Sequence, residues 1–224
     1  MLELRSAQLP ASSPEIGELL VNIATCRGSL GDVEGAIAGL RRALQIFEES
    51  FGPEDARVAV VLNNLGGFEA DAGRPDEAVA LRRRALALHV RNHGPDSQEA
   101  AHAHVTIARV LVGMGRVDEA RVELAAARRF YDREPGYQLG ERSLEMTEGR
   151  LLWLEGQHAR ARLHLLALRE RILRDRSKSD VLALIATWFA EHGGPPTADE
   201  LEVVTRALDA SDAGVTRGAA LDPG

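Results

Sequence analysis

The stretch GRPDEAVALRRRAL, from Gly73 to Leu86, sets the pattern that the rest of the chain repeats. Close copies, each 42 residues away, are GDVEGAIAGLRRAL from Gly31 and GRVDEARVELAAAR from Gly115, and a weaker copy, GQHARARLHLLALR, begins at Gly156. A sustained period of this length is the signature of a repeat array. We therefore interpret most of the chain as stacked copies of one structural unit.

Small residues recur at fixed distances from the four repeat glycines. Seven residues before them lie Ala24, Gly66, Ala108 and Gly149, five after lie Ala36, Ala78, Ala120 and Ala161, and twelve after lie Ala43, Ala85, Ala127 and, as an exception, Leu168. Small side chains at this spacing let two antiparallel helices approach closely, and glycine suits the turn between them. Each copy is thus predicted to be a helical hairpin, with helix A before the glycine and helix B after it.

Composition favours the same fold. Hydrophobic residues make up 45% of the chain but aromatics only 4%, and the abundant alanine favours helix over strand. One cysteine, Cys26, excludes an intramolecular disulfide, and the absence of a long apolar run excludes a membrane span. The bias towards arginine over lysine suggests a bacterial source, and we expect a cytoplasmic protein.

The pattern small-x6-Gly-x4-Ala-x6-Ala resembles the core of the tetratricopeptide repeat (TPR). With NNL at Asn63–Leu65 and RAL at Arg84–Leu86, and about eight residues beyond the standard repeat of about 34, the copies resemble the kinesin-light-chain class. The resemblance covers roughly residues 13–174, and the fourth copy departs from it with Glu145 and Glu148 at mostly apolar positions. It implies an all-α, right-handed solenoid of helical hairpins whose helices A line a concave groove.

Four segments follow from this reading. Residues 1–12 are interpreted as part of a helix B from a truncated repeat, or as an N-terminal cap, and residues 13–178 as about four repeats. Residues 179–209 are predicted to form capping helices, with apolar Val181, Leu184, Ile185, Trp188 and Phe189 in the first and a Thr197–Glu200 capping box before a short last helix, 198–208. Residues 210–224 are expected to be a disordered tail, because their apolar content is low.

The groove positions can be read from the same register. Nine residues before the four repeat glycines lie Asn22, Asn64, Thr106 and Thr147, and neighbouring groove positions hold Thr25, Asn63, His102, Arg109 and Arg150. The resemblance implies that an asparagine at this position hydrogen-bonds the backbone of a bound peptide, since a carboxamide both donates and accepts. The alternative is that the asparagines only bridge adjacent repeats. For Arg109 and Arg150, the alternatives are binding of a ligand carboxylate or phosphate and a plain solvated or intramolecular ion-pair role.

Other chemistries are not supported by the sequence. His89, His93, His102 and His104 lie close together, but His93 and His104 replace core apolar residues, so packed neutral histidines are expected and no metal. The arginine runs at 82–84 and 128–129 are predicted to lie on the solvated outer side of helix B, without the aromatic residues of a nucleic-acid surface. No nucleophile, general base or cofactor-binding loop stands out, so we expect neither an enzyme nor a cofactor.

The predicted function is a non-enzymatic scaffold or adaptor that binds a peptide or helix of another protein in the groove. The resemblance to arrays in bacterial signalling proteins makes a kinase or other signalling protein the expected kind of partner. The alternative is a module that self-associates through its repeat ends into a homo-oligomer, because Leu2, Leu9 and Leu19 lack a partner in the incomplete first hairpin.

Overall fold

The computed structural model describes residue 10 and residues 12–134, 136–175 and 180–219, with side chains up to residue 209. Within these residues the chain forms ten α-helices and no strand. Their bounds are α1 Pro14–Ser29, α2 Val33–Phe51, α3 Ala56–Asp71, α4 Pro75–His93, α5 Gln98–Gly113, α6 Val117–Arg133, α7 Gln138–Leu154, α8 His158–Arg174, α9 Asp180–Glu191 and α10 Ala198–Ala219.

The repeat glycines make the turn inside each hairpin. Gly73 has a φ of 76°, in the left-handed region that glycine adopts without steric cost. The amide of the next residue, Arg74, donates to the Glu69 carbonyl at 2.9 Å, and Arg116 does the same to Leu111 in the next hairpin. This hydrogen bond is the mark of a Schellman motif, which ends helix A and allows helix B to start at once.

The small residues found by register lie where the two helices of a hairpin meet. Those before the glycine are buried, and those five and twelve residues after it are all at most 2% exposed. A Cβ on Gly66 would stand 2.8 Å from Arg82 Cγ, and one on Gly149 would overlap the Leu165 side chain. The hairpin spacing therefore depends on these small residues, as the sequence predicts.

The described residues form two compact units, a first up to Glu134 and a second after it. In the first unit, α1/α2, α3/α4 and α5/α6 are three successive hairpins, and α2 and α4 also pack against the helix A that follows each of them. Part of the core is formed by Leu40, Ile46, Val58, Leu62 and Leu65, each at most 2% exposed.

Ion pairs recur between successive hairpins of the first unit at equivalent positions. Arg74 pairs with Glu34 at 2.8 Å and Arg116 with Asp76 at 3.4 Å, in each case linking the start of one helix B to the start of the previous helix B. Arg133 pairs with Asp96 at 2.8 Å, and its counterpart one repeat earlier, Arg91, pairs with Glu54. We call these four pairs the inter-repeat ladder.

In the second unit the α7/α8 hairpin is covered by the two last helices. Val181, Ile185, Trp188 and Phe189 of α9 are buried in its core as expected, whereas Leu184 is 55% exposed. The capping box is present, because the Thr197 amide donates to Glu200 Oε2 at 2.8 Å and the Glu200 amide to Thr197 Oγ1 at 3.2 Å.

Two expectations meet a different outcome, and a third lies almost entirely outside the described residues. His93 was expected in the core, but it is exposed near the end of α4, where its ring lies 6.2 Å from that of His89. The last helix was expected to end at Leu208, with disorder from residue 210, but α10 continues to Ala219, since each residue added to an existing helix gains a backbone hydrogen bond without needing an apolar core. Of the N-terminal segment 1–12, including Leu2 and Leu9, almost all lies outside the described residues.

Candidate binding surface on helices A

One stripe of side chains per helix A forms the candidate surface of the first unit. Counting back thirteen, nine and six residues from each repeat glycine, the members are Glu18, Asn22 and Thr25 on α1, Val60, Asn64 and Gly67 on α3, and His102, Thr106 and Arg109 on α5. This spacing places the three members of each stripe on one side of their helix. We call the three stripes together the helix A face.

A cleft of about 320 Å³ opens on this face between α1 and α3. Its lining combines Asn22 and Glu18 of α1 with Val60 of α3, whose side chain is 52% exposed, and with Phe47 of α2 beneath. Arg57 borders the cleft with its guanidinium carbon 3.2 Å from the centre of the Phe51 ring. The cleft therefore offers apolar surface beside groups that can donate and accept hydrogen bonds.

The predicted asparagines are free to bond a ligand. Asn22 is exposed and Asn63 and Asn64 are half-buried, and no carboxamide among the three has a hydrogen bond to another described residue. The bridging alternative, in which they hold neighbouring repeats together through hydrogen bonds, therefore has no contact to support it in the described part of the chain.

The predicted threonines differ from the asparagines, because their hydroxyls bond to their own helices. Thr25 is exposed and donates to the Val21 carbonyl at 3.0 Å. Thr106 is only 7% exposed and donates to the Ala103 carbonyl at 2.9 Å, so its hydroxyl does not face a ligand as expected. A β-branched hydroxyl can satisfy itself on the preceding turn, whereas a carboxamide at the same position cannot do so easily.

The basic residues predicted for the groove have no acidic partner among the described residues. His102 and Arg109 are exposed on α5, and Arg150 is half-buried on α7, in the second unit. Neither arginine takes part in an ion pair within the part of the chain that the structure describes. The ordinary ion-pair alternative thus finds no contact in support.

Arg82 is the residue that the sequence reading placed wrongly. It was assigned to a solvated outer side of helix B, yet it is 3% exposed, and its Nη1 donates to the Thr106 carbonyl on α5 at 2.5 Å. Burial, and then the charge of Arg109, lower its pKa to about 10. The repeat alignment predicts this burial, because the residues nine after the other repeat glycines are Leu40, Leu124 and Leu165, and all three lie in the core.

The neighbouring arginines do lie outside. Arg83 is exposed and pairs with Glu119 at 2.9 Å, and Arg84 is exposed and pairs with Glu48 at 2.5 Å. His104 is half-buried, with its Nδ1 2.6 Å from Glu123 Oε2. Within the described residues, no group of three or more His, Cys, Asp or Glu side chains is arranged to hold a metal ion.

The second unit has a smaller polar pocket of about 150 Å³. It lies beside α7 and α8 and is lined by both acids and bases, among them Glu145, Arg142 and Arg171. Glu145 is 9% exposed and ion-paired with Arg171, and Arg142 pairs with Asp175 at 3.3 Å. The Glu145–Arg171 pair explains how the fourth copy tolerates an acid at a mostly apolar position, and the two pairs together offset most of the charge in the pocket.

Comparison with known proteins agrees with the repeat register. The family model of the tetratricopeptide repeat matches residues 15–67 and 57–133. No curated protein matches the chain. In the part of the chain that the structure describes, no helix has the length and apolar character needed to cross a membrane.

Two solved structures share the fold. BtubC (BKLC) from P. vanneervenii is 19% identical, with a TM-score of 0.65 over 87% of this chain and 72% of that chain. A Podosopora anserina kinesin light chain protein with nearly identical TPR-like repeats is 18% identical, with a TM-score of 0.65 over 89% of this chain and 98% of the other. At such identities the likeness extends to the all-α repeat architecture and not to any ligand.

Proposed function

The chain belongs to the tetratricopeptide repeat family, and from this premise we propose that it is a non-enzymatic scaffold or adaptor that holds a segment of a partner protein. Repeats of this fold generally mediate protein–protein interactions. We assign the binding to the helix A face of the first unit. The partner that we propose is a peptide or helix of a bacterial signalling protein such as a kinase.

The unbonded carboxamides of Asn22 and Asn64 carry the proposal. Neither carboxamide is hydrogen-bonded to another described residue, so a ligand can bond to both without breaking a bond inside the protein. A peptide backbone presents an N–H and a C=O at each residue, and a carboxamide complements both. Bonds to the backbone hold a segment whatever its sequence, and the apolar cleft at Val60 is left to select a side chain.

The test compares the proteins that the full-length chain captures before and after Asn22→Ala/Asn64→Ala. We expect the double substitution to lose a specific partner, identified by cross-linking to the cleft. Asn92→Ala is the matched control, because Asn92 is an exposed asparagine near the end of α4 and is not on the helix A face. If the double variant and the control retain the same partners, binding does not use the helix A face.

Self-association through repeat ends is the alternative, and light scattering after size exclusion tests it. A monomer that still captures its partner supports the adaptor. A concentration-dependent oligomer that loses capture as it assembles would favour the alternative.

A further inference from the structure

We propose that the cleft between α1 and α3 receives an arginine side chain of the bound protein segment, with Glu18 as the carboxylate that selects it. The inference rests on the proposed function, because that function supplies the segment. It adds the kind of side chain that the segment must present. The site stands on the arrangement of one unpaired acid beside an apolar floor.

Glu18 is the acid at the edge of the cleft. It is exposed on α1, lines the cleft, and makes no hydrogen bond or ion pair with another described residue. Asn22 follows one helical turn later on the same side of α1, so a carboxylate and a carboxamide border the cleft together. Their oxygens accept hydrogen bonds, and neither side chain is bonded within the described part of the chain. The two residues therefore suit a ligand group that donates several hydrogen bonds.

Arg57 is the basic residue that lines the cleft, and its charge is already balanced. Asp55 accepts from it through both carboxylate oxygens, at 2.7 Å from Nε and 2.9 Å from Nη2. The pKa of Arg57 is raised chiefly by the hydrogen bond with Asp55, and the charge of Glu18 contributes least to the rise. Because Asp55 neutralises Arg57, the charge of Glu18 remains unbalanced at the cleft. An unbalanced acid favours a cation on the partner.

The rest of the cleft is apolar and fits an aliphatic stem. Val60 of α3 is 52% exposed, and Phe47 of α2 lies beneath. Gly17 lets the Phe47 ring approach α1, because a Cβ there would stand 2.5 Å from Phe47 Cε1. Arginine buries its aliphatic stem against apolar surface while its charged head stays in water. Its stem can thus contact Val60 and Phe47 while its planar fork meets the two oxygens of Glu18.

This combination does not recur at the next pair of helices A. One repeat later, Val60 takes the place of Glu18 and His89 takes the place of Phe47, so both the acid and the phenyl ring are missing. The asparagines hold a peptide backbone without regard to its sequence. The arginine would therefore fix where along the helix A face the segment lies.

Four single substitutions separate the charged head from the stem. Glu18→Gln removes the charge and keeps the shape, and Glu15→Gln is its matched control, because Glu15 is exposed on α1 and does not line the cleft. Val60→Thr adds a hydroxyl to the apolar wall. Val122→Thr is its matched control, because Val122 is 69% exposed on α6, outside the cleft. All four side chains are exposed, so the fold should tolerate each change.

The first experiment compares N-acetyl-arginine amide with N-acetyl-citrulline amide, which has the same stem and an uncharged head. Methyl resonances of Val21 and Val61, which line the cleft and remain in every variant, report binding to the full chain by NMR at low salt. Wild type should bind the arginine ligand about fivefold more tightly, as one exposed ion pair allows. Glu18→Gln should remove this preference and Val60→Thr should weaken both ligands, whereas the two controls should behave as wild type. Equal binding of both ligands, or a preference that survives Glu18→Gln, would overturn the site.

The second experiment selects peptides from a random displayed library on wild type, Glu18→Gln, Glu15→Gln and Asn22→Ala/Asn64→Ala. We expect arginine to be enriched at one position in peptides that bind wild type and Glu15→Gln, and not in those that bind Glu18→Gln. Peptides that need the asparagines but show no arginine enrichment would overturn the Glu18 site and leave the proposed function standing. Arginine enrichment that persists in Asn22→Ala/Asn64→Ala and is lost in Glu18→Gln would support the site and count against the asparagine-based function.

Discussion

Replacing Arg82 by leucine should make the protein more stable, although it deletes a hydrogen-bonded side chain. Burial is the main reason that the pKa of Arg82 falls from 12.5 to about 10. Since one pKa unit corresponds to about 1.4 kcal/mol, the charged form is disfavoured by roughly 3 kcal/mol relative to solvent. The Arg82→Leu substitution removes this cost.

The hydrogen bond that Arg82→Leu deletes stabilises the fold by less than the desolvation of the charged Arg82 destabilises it. The single hydrogen bond from Arg82 Nη1 to the Thr106 carbonyl contributes about 1.5–3 kcal/mol as a bond from a charged donor. Leucine packs well at this position in the other repeats, where Leu40, Leu124 and Leu165 are at most 3% exposed. We therefore expect the free energy of unfolding to rise by about 1 kcal/mol, within the range known for replacing buried ions by apolar residues.

Urea unfolding followed by far-ultraviolet circular dichroism measures this change. The control is Arg84→Leu, because Arg84 lies on the same helix but is exposed and paired with Glu48. This substitution should change the free energy of unfolding by no more than about 0.5 kcal/mol. A loss of stability above about 1 kcal/mol in Arg82→Leu would refute the reasoning. It would show that Arg82 stabilises the fold as an internal bridge between α4 and α5.

Two further predictions concern pH. The Glu200 carboxylate has a pKa of about 2, held below its usual 4.5 chiefly by hydrogen bonds from Arg162, so the stability that it contributes is complete above about pH 4.5 and is lost as the pH falls towards 2. Tryptophan fluorescence reports only on the second unit, because Trp153 and Trp188 both lie there, and in Glu200→Gln it should show an acid-induced loss of stability that is smaller by about 1 kcal/mol. An acid-induced loss equal to that of wild type would contradict this prediction. Desolvation in the folded protein lowers the pKa of His89 and of His102. The unfolded chain, in which these histidines have a pKa of about 6.5, therefore binds more protons, and stability should fall as the pH is lowered from about 8 to about 5. A thermal midpoint that is constant over this range would contradict the prediction.

The hairpin architecture could be predicted from the sequence because its determinants repeat. Each copy has a glycine at the position that adopts a positive φ, such as Gly73, and a small residue where the two helices meet, such as Ala78. The apolar side of α9 was predicted for a similar reason, since its periodicity is strong.

The site was predicted only in part because its residues are exceptions to the repeat. Arg82 was grouped with its arginine neighbours by composition, although its register assigned it to the core. Thr106 shares its register with Asn64 but turns its hydroxyl back to its own helix, a difference that depends on side-chain length. His93 was predicted from the core residues with which it aligns, yet as the last residue of α4 it remains exposed.

The inter-repeat ladder makes the array sensitive to the number of residues in its loops. Each pair joins residues 37 or 40 positions apart, at places that recur with the repeat period. If recombination within the gene duplicated or removed one whole repeat, every ion pair of the ladder could form again, because the new junction would bring residues from equivalent positions together. Loss of a single codon would misalign the charges instead, so this architecture favours evolutionary growth and shrinkage in whole repeats.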